Sequence, residues 1–383
     1  MDKRKIVVIT GARADYGRLK SVLDAIKKHP QLELSLVVTG MHLLSELGDT
    51  QQYIEEDGFE IDARVPMYFG KEDTGGAMAK SLARCVEGMV NALEDIRPDI
   101  CLASVDRVET LASVIPALFM NIPIAHIQGG EVTGTVDESI RHAVTKMSHI
   151  HFPSNQDAAE RIIKMGEDPR YVFMFGCPNV DIIHSLKYDP KEKFIKEFKL
   201  DASKPLALFI QHPVTTEADE STYNFMNTLT AIRKFDLETI MICPNIDAGG
   251  KRIIDEINAQ KIKYYPSLPF RKYLNLMAVA DFMIGNSSSG IREAPSFNLP
   301  AVNVGTRQQG RLKAGNVIDV GYSIEEIAKG IDKALYDKEF KKRLADCKNP
   351  YDPFGDGKSG ERIVNILATI DLKSLSVQKR ITY

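Results

Sequence analysis

The chain has 383 residues, 44% of them hydrophobic and 26% charged, which is the balance of an ordinary globular protein and not of a disordered or collagen-like one. Its 49 Lys and Arg against 52 Asp and Glu leave a net charge of −3, without the basic excess or polybasic stripe that a nucleic-acid partner calls for. At about 150 residues per domain, the length predicts two to three domains.

The apolar run after the charged residues Met1 to Lys5 is too short for a signal peptide. The longest apolar stretch, Leu111 to Ile127, is broken by Pro116, Asn121 and Pro123, and falls short of the roughly 20 residues a bilayer needs. No membrane partner is expected. Cys85, Cys101, Cys177, Cys243 and Cys347 are scattered and form no CxxC, so neither a disulfide framework nor a metal site is indicated. They read as reduced, buried thiols of a cytoplasmic protein.

In chain order, short β-rich runs alternate with longer helical patterns. Lys5 to Thr10 is β-branched and reads as a buried first strand. A Gly-containing loop follows, then an amphipathic helix from about Gly17 to Lys28, stopped before Pro30. Leu32–Val38, Arg64–Tyr68, Ile100–Ser104, Pro123–Ile127 and His149–Pro153 continue the strand series, and Tyr171–Phe175 closes it. The charged segment Lys187–Lys204 reads as a linker plus the first helix of a second domain. The pattern restarts with Leu206–Gln211, Thr239–Cys243, Lys263–Tyr265, Phe282–Gly285 and Ala301–Val304. This order predicts an α/β protein with two doubly wound domains, residues 1–185 and 186–365, a tail at 366–383, and an interdomain cleft. Ligands of such sheets sit beyond the carboxyl ends of the strands, so the loops after strands are where chemistry is expected.

Three of those loops stand out. Thr10-Gly-Ala-Arg-Ala-Asp-Tyr-Gly17 offers a tight turn, a helix N-terminus and the forked cation of Arg13, which together suit a diphosphate. The same features equally make a structural turn with a solvated arginine. Gly285-Asn-Ser-Ser-Ser-Gly290 opens a helix with three hydroxyls, and Glu293 lies about one turn further in, placed to accept from ribose hydroxyls. Serines there also simply cap helices. The loop from His126 to His142 is dense in glycines and titratable groups, with Glu131 in it and Asp137 and Arg141 four apart on one helical face. His126 also reads as a satisfied core residue. Close acids and a cation push pKa values apart, as acid/base chemistry needs. Asp106 follows one strand and reads as a helix N-cap or an acid; His212 follows another.

Thr10 to Gly17, Val38-Thr-Gly-Met-His-Leu43, Asp106-Arg-Val-Glu109, His126-Ile-Gln-Gly-Gly-Glu131, Ser139 to Lys146, Gly285 to Gly290 and Gly305-Thr-Arg-Gln-Gln-Gly-Arg311 occur in that order. In these motifs the chain resembles the hydrolysing UDP-N-acetylglucosamine 2-epimerases of sialic acid and related nonulosonate biosynthesis, to about residue 365. The resemblance implies two Rossmann-like domains in a GT-B arrangement, a homodimer, a UDP-sugar in the cleft and no cofactor. It implies loss of the C2 proton with elimination of UDP from C1, a 2-acetamidoglucal intermediate, and hydration to free N-acetylmannosamine.

Residue by residue, it places Asp106, Glu131 and Asp137 at acid/base positions, and His212 near the diphosphate and leaving oxygen. Arg13 and Arg141 match cations near the phosphates or in the charge network. Ser287, Ser288, Ser289 and Gly290 match the phosphate-binding turn, Glu293 the ribose-binding acid and Tyr273 an aromatic near uracil. Arg307 and Arg311 belong to a motif lining the cleft. Gln128 is a departure, since some relatives carry Glu there. UDP-N,N'-diacetylbacillosamine is the alternative substrate. A non-hydrolysing epimerase and a non-catalytic nucleotide-sugar sensor are the other readings.

Overall fold

The computed structural model describes residues 3–44, 49–68, 74–104, 106–133, 137–244 and 249–383. Gly134 to Val136, in the third of the loops above, lie outside the described residues. The chain divides into unit 1 (Met1–Glu131, Asp137–His184 and Tyr351–Tyr383) and unit 2 (Val132–Val136 and Ser185–Pro350).

In unit 1, β1 (Arg4–Thr10), β2 (Leu32–Thr39), β3 (Ala63–Val65), β4 (Ile100–Ser104), β5 (Ile124–Ile127) and β6 (Ile150–Phe152) make one parallel sheet. Its order is β3-β2-β1-β4-β5-β6. The β1 run is apolar at every central position because both of its faces are covered. Ile6 and Val8 feed one core with Leu19, Leu23 and Ile26 of the helix Arg13–Lys28. Val7 and Ile9 feed the other with Cys85, Met89 and Leu93 of the helix Gly75–Ile96. Strand order reverses between β1 and β4, which opens the usual ligand crevice beyond the carboxyl ends of those two strands.

In unit 2, β7 (Leu206–Ile210), β8 (Glu238–Met241), β9 (Phe282–Gly285), β10 (Ala301–Val304) and β11 (Val317–Val320) make a second parallel sheet in the order β11-β10-β9-β7-β8. Its reversal lies between β7 and β9. Its core includes the stacked pair Phe209 and Phe225, with ring centroids 5.1 Å apart. The α/β class with two parallel sheets is as the sequence predicts.

Three expectations are corrected, and one strand lies outside the expected series. Tyr171–Phe175 is not a strand: Val172 makes a single bridge to His151, and Phe173 and Phe175 turn their rings onto Phe152 instead of extending the ladder. Lys263–Tyr265 likewise makes only the bridge from Tyr265 to Ile242. The edge strand β11 went unread because its four residues include a charge, Asp319. Finally, the second domain ends at Pro350, not at 365. The helix Ser359–Thr369 belongs to unit 1, where Ile363, Val364 and Leu367 join the core beside Leu19, and Asp181 accepts from the amides of Ser359 and Gly360 at its start.

Residues 366–383 are therefore not a loose tail. Leu375 is buried, and Lys379 donates to the carbonyls at the end of the helix Asp137–Met147 and pairs with Glu167 at 2.5 Å. Burial works to raise the Glu167 carboxyl, but hydrogen bonds from His151, Lys146 and Lys379 override it and hold the pKa down at about 2. All five cysteines are free thiols, as expected, but Cys243 and Cys347 are only half-buried. Among the described residues, no helix is long and apolar enough to cross a membrane.

Candidate functional site

In unit 1 one arginine ties Asp106 and the Glu131 main chain to the helix that carries Asp137. The helix Asp137–Met147 carries Asp137 in its first turn and Arg141 one turn on, on the same face. Arg141 is 1% exposed. Its Nη2 donates to Asp106 Oδ2, and its Nη1 donates to the Glu131 carbonyl at 2.7 Å. Asp106 follows β4 and Glu131 follows β5, so one buried fork ties two strand-end loops to the helix that carries Asp137. Such a cation demands these partners, because losing one would leave its charge buried and uncompensated. The result is one carboxylate, that of Asp106, held in fixed orientation beside the loop of Glu131, as positioned proton transfer requires. Asp106 is not a helix N-cap: Arg107 holds that place before Val108.

Arg13 opens its helix at the end of β1. Burial lowers its pKa to about 10, and its Nη1 lies in the interior with no hydrogen-bond partner among the described residues. A desolvated guanidinium nitrogen so placed suits an anion. Two further acids lie at this sheet edge. Glu109 is 2% exposed and accepts from Tyr68 Oη at 3.1 Å and Arg107 Nε at 3.2 Å. It lies so close over Gly11 that a Cβ there would stand 2.6 Å from its Cγ. Asp15 is buried; desolvation pushes its pKa up to about 6, with Glu109 adding to the rise and Arg107 and Arg18 opposing it. Neither acid was singled out from the sequence, though both lie inside quoted motifs. His126 is a core residue, its Nδ1 3.4 Å from Thr145 Oγ1. Gln128 is buried and donates to Cys177 Sγ.

In unit 2 the loops after β7, β9 and β10 are joined by amides together with arginine and glutamate side chains. The Asn286 side chain bonds the main chain of His212, and the Asn286 carbonyl accepts from Arg307 Nη1 at 3.1 Å and Gln308 Nε2 at 2.8 Å. Gln308 Oε1 in turn accepts from Arg311 Nη1, and Arg311 Nε donates to the Val132 carbonyl. Glu217, in the loop after β7, accepts from Thr306 Oγ1 and from Tyr322 Oη, both at 2.6 Å. Asn286 and Gln308 were missed as site residues; amides carry no charge signature to mark them.

The serine turn differs from expectation. The helix it opens, Ser289–Arg292, has four residues and ends as the chain approaches Pro295, so Glu293 closes it instead of lying inside a longer one. The amides of Ser289, Gly290, Ile291, Arg292 and Glu293 all bond within the turn, to Ser287, Ser288 and Ser289. Those five amides are thus engaged within the turn. Gly290 is buried, its carbonyl held by Asn316 Nδ2. Tyr273 lies on the helix Phe270–Val279.

The comparisons with known proteins agree with one another. A family model described as UDP-N-acetylglucosamine 2-epimerase matches residues 24–368. The chain is 37% identical over 380 residues to a UDP-N,N'-diacetylbacillosamine 2-epimerase (hydrolyzing) of Legionella pneumophila, covering 98% of each. It is 33% identical over 383 residues to a UDP-N-acetylglucosamine 2-epimerase of Neisseria meningitidis, again covering 98% of each. A crystal structure of UDP-GlcNAc 2-epimerase from Neisseria meningitidis bound to UDP-GlcNAc shares the fold, with a TM-score of 0.80 at 19% identity over 95% of this chain and 99% of that one.

Proposed function

The chain belongs to the UDP-N-acetylglucosamine 2-epimerase family, and on that premise we propose that it is a hydrolysing 2-epimerase of a UDP-linked 2-acetamido sugar. The observation that carries this reading is the buried Arg141, which gathers Asp106 and the Glu131 main chain beside Asp137. A protein that only binds a nucleotide sugar has no need of such a set.

On this reading one carboxylate of the set takes the proton from C2 of the pyranose. The C2–H electrons form the C1–C2 double bond, and UDP leaves from C1 with the electrons of the C1–O bond. Water then adds to the 2-acetamidoglucal, hydroxyl to C1 and a proton to the opposite face of C2, which releases the free 2-epimer. The C2 proton is weakly acidic, so base placement and stabilisation of the departing diphosphate are both required. We assign His212, Arg13 and the hydroxyls of Ser287, Ser288 and Ser289 to the diphosphate, with Gly290 shaping the turn. Glu293 is assigned to the ribose and Tyr273 to the uracil. Arg307 and Arg311 hold the neighbouring loop.

UDP-N-acetylglucosamine is the first substrate reading. UDP-N,N'-diacetylbacillosamine is the second, favoured by the names of relatives 37% and 36% identical to this chain. A cytoplasmic homodimer belongs to the same reading. The test is incubation of the purified protein with each UDP-sugar in deuterated water, followed by NMR. Free UDP and a 2-epimeric sugar carrying deuterium at C2 are expected, and the sugar consumed decides the substrate. A mixture of UDP-sugars without free UDP would mark a non-hydrolysing enzyme. Binding without turnover would mark a sensor.

A further inference from the structure

The switch point of the second sheet is bridged by one side chain. Gly285 ends β9 at φ +119°, and a Cβ there would stand 2.0 Å from the Ile210 carbonyl oxygen. Only glycine lets the end of β9 come this close to the end of β7. The next amide, Asn286 N, donates to that same Ile210 carbonyl at 3.1 Å. The Asn286 side chain is thereby delivered to the residue after Gln211. Its Oδ1 accepts from His212 N at 2.7 Å, and its Nδ2 donates to the His212 carbonyl at 2.8 Å. Asn286 is 1% exposed.

We infer that Asn286 is a positioning residue: its amide clips both main-chain groups of His212 and so fixes where the imidazole meets the leaving-group end of the nucleotide. This rests on the role proposed for His212 above. The chemistry selects asparagine over its isostere. Both the donor and the acceptor of the amide are used, and a carboxylate could satisfy the His212 N–H but would turn a second acceptor against the His212 carbonyl. It would also place a negative charge beside a diphosphate site. The Asn286 carbonyl, which holds Arg307 and Gln308, is main chain and survives any substitution.

The experiment is a double-mutant cycle between Asn286→Ser, which loses the two-point clip, and His212→Ala, read as UDP release, with melting curves and UDP titrations on every variant. In a folded Asn286→Ser protein kcat is expected to fall by about 10²-fold, the cost of a small misplacement. In the His212→Ala background Asn286→Ser, which adds no charge beside the diphosphate site, is expected to cost nothing further, because the group it positions is gone. Equal losses in both backgrounds, or wild-type kcat in folded Asn286→Ser, would overturn the inference. If the serine variant does not fold, Asn286→Asp replaces it in the wild-type background, where an unchanged kcat overturns the inference. Wild-type protein that releases no UDP from either sugar would instead defeat the functional reading. Hydrogen exchange at the His212 amide in Asn286→Ser then tests the clip by itself: faster exchange than in the wild type supports it, and unchanged exchange rejects it.

Discussion

The strand-end loops of unit 1 are fastened by buried charge, and those of unit 2 mostly by amides. In unit 1 the Arg141 fork holds Asp106 and the loop of Glu131, while Arg107 and Tyr68 hold Glu109. In unit 2 Asn286 and Gln308 do the corresponding work. Buried ion pairs are costly to assemble and costly to break, whereas a paired amide fixes geometry without adding charge. The two solutions match the two tasks proposed for them. Proton transfer needs titratable groups brought close, and a diphosphate needs a rigid rim.

Four experiments would break or sharpen this contrast. Asp106→Asn is expected to lower kcat by roughly 10²–10⁴-fold, the usual worth of a positioned acid or base, while UDP still binds. Wild-type turnover would remove Asp106 from the chemistry. Arg141→Met is expected to destabilise unit 1 by ~3–5 kcal/mol, because it strands a carboxylate, and a denaturant melt measures it. Arg13→Met should weaken UDP binding by ~1.5–3 kcal/mol in a titration, the worth of a hydrogen bond to a charged group. If affinity holds, Arg13 is a structural turn residue. The smallest effect is expected at Asp15, whose pKa burial raises to about 6. Its neutral form is favoured in the fold, so the contribution is complete below the ordinary value of 3.8 and is lost as pH rises through about 6. Asp15→Asn should therefore raise the melting temperature at pH 8 and leave it nearly unchanged at pH 3.

The sequence carried the sheets well where strands were long and β-branched, as at β1 and β7, because burial on both faces leaves a continuous apolar run. It failed at Tyr171–Phe175, where the same residue types serve a ring cluster, and at β11, where an edge position tolerates Asp319. The acids and Arg141 were legible since charges near glycine-rich turns are conspicuous. That Arg141 would pair with Asp106 was not, because the pairing spans β5 and depends on how two loops meet. That the amides of Ser289 to Glu293 bond back to Ser287, Ser288 and Ser289 was not legible either, because it depends on the local backbone turn.

The helix Ser359–Thr369 and the residues after it complete the core of unit 1, although unit 2 intervenes in the chain. A ribosome thus makes nearly all of the first sheet early and delivers its closing helix only after residues 185–350 have emerged. During that interval Leu19 and Leu23 lack their partners Ile363 and Leu367, so the half begun first is finished last, and a nascent chain stalled near residue 350 would present an uncovered apolar face to chaperones.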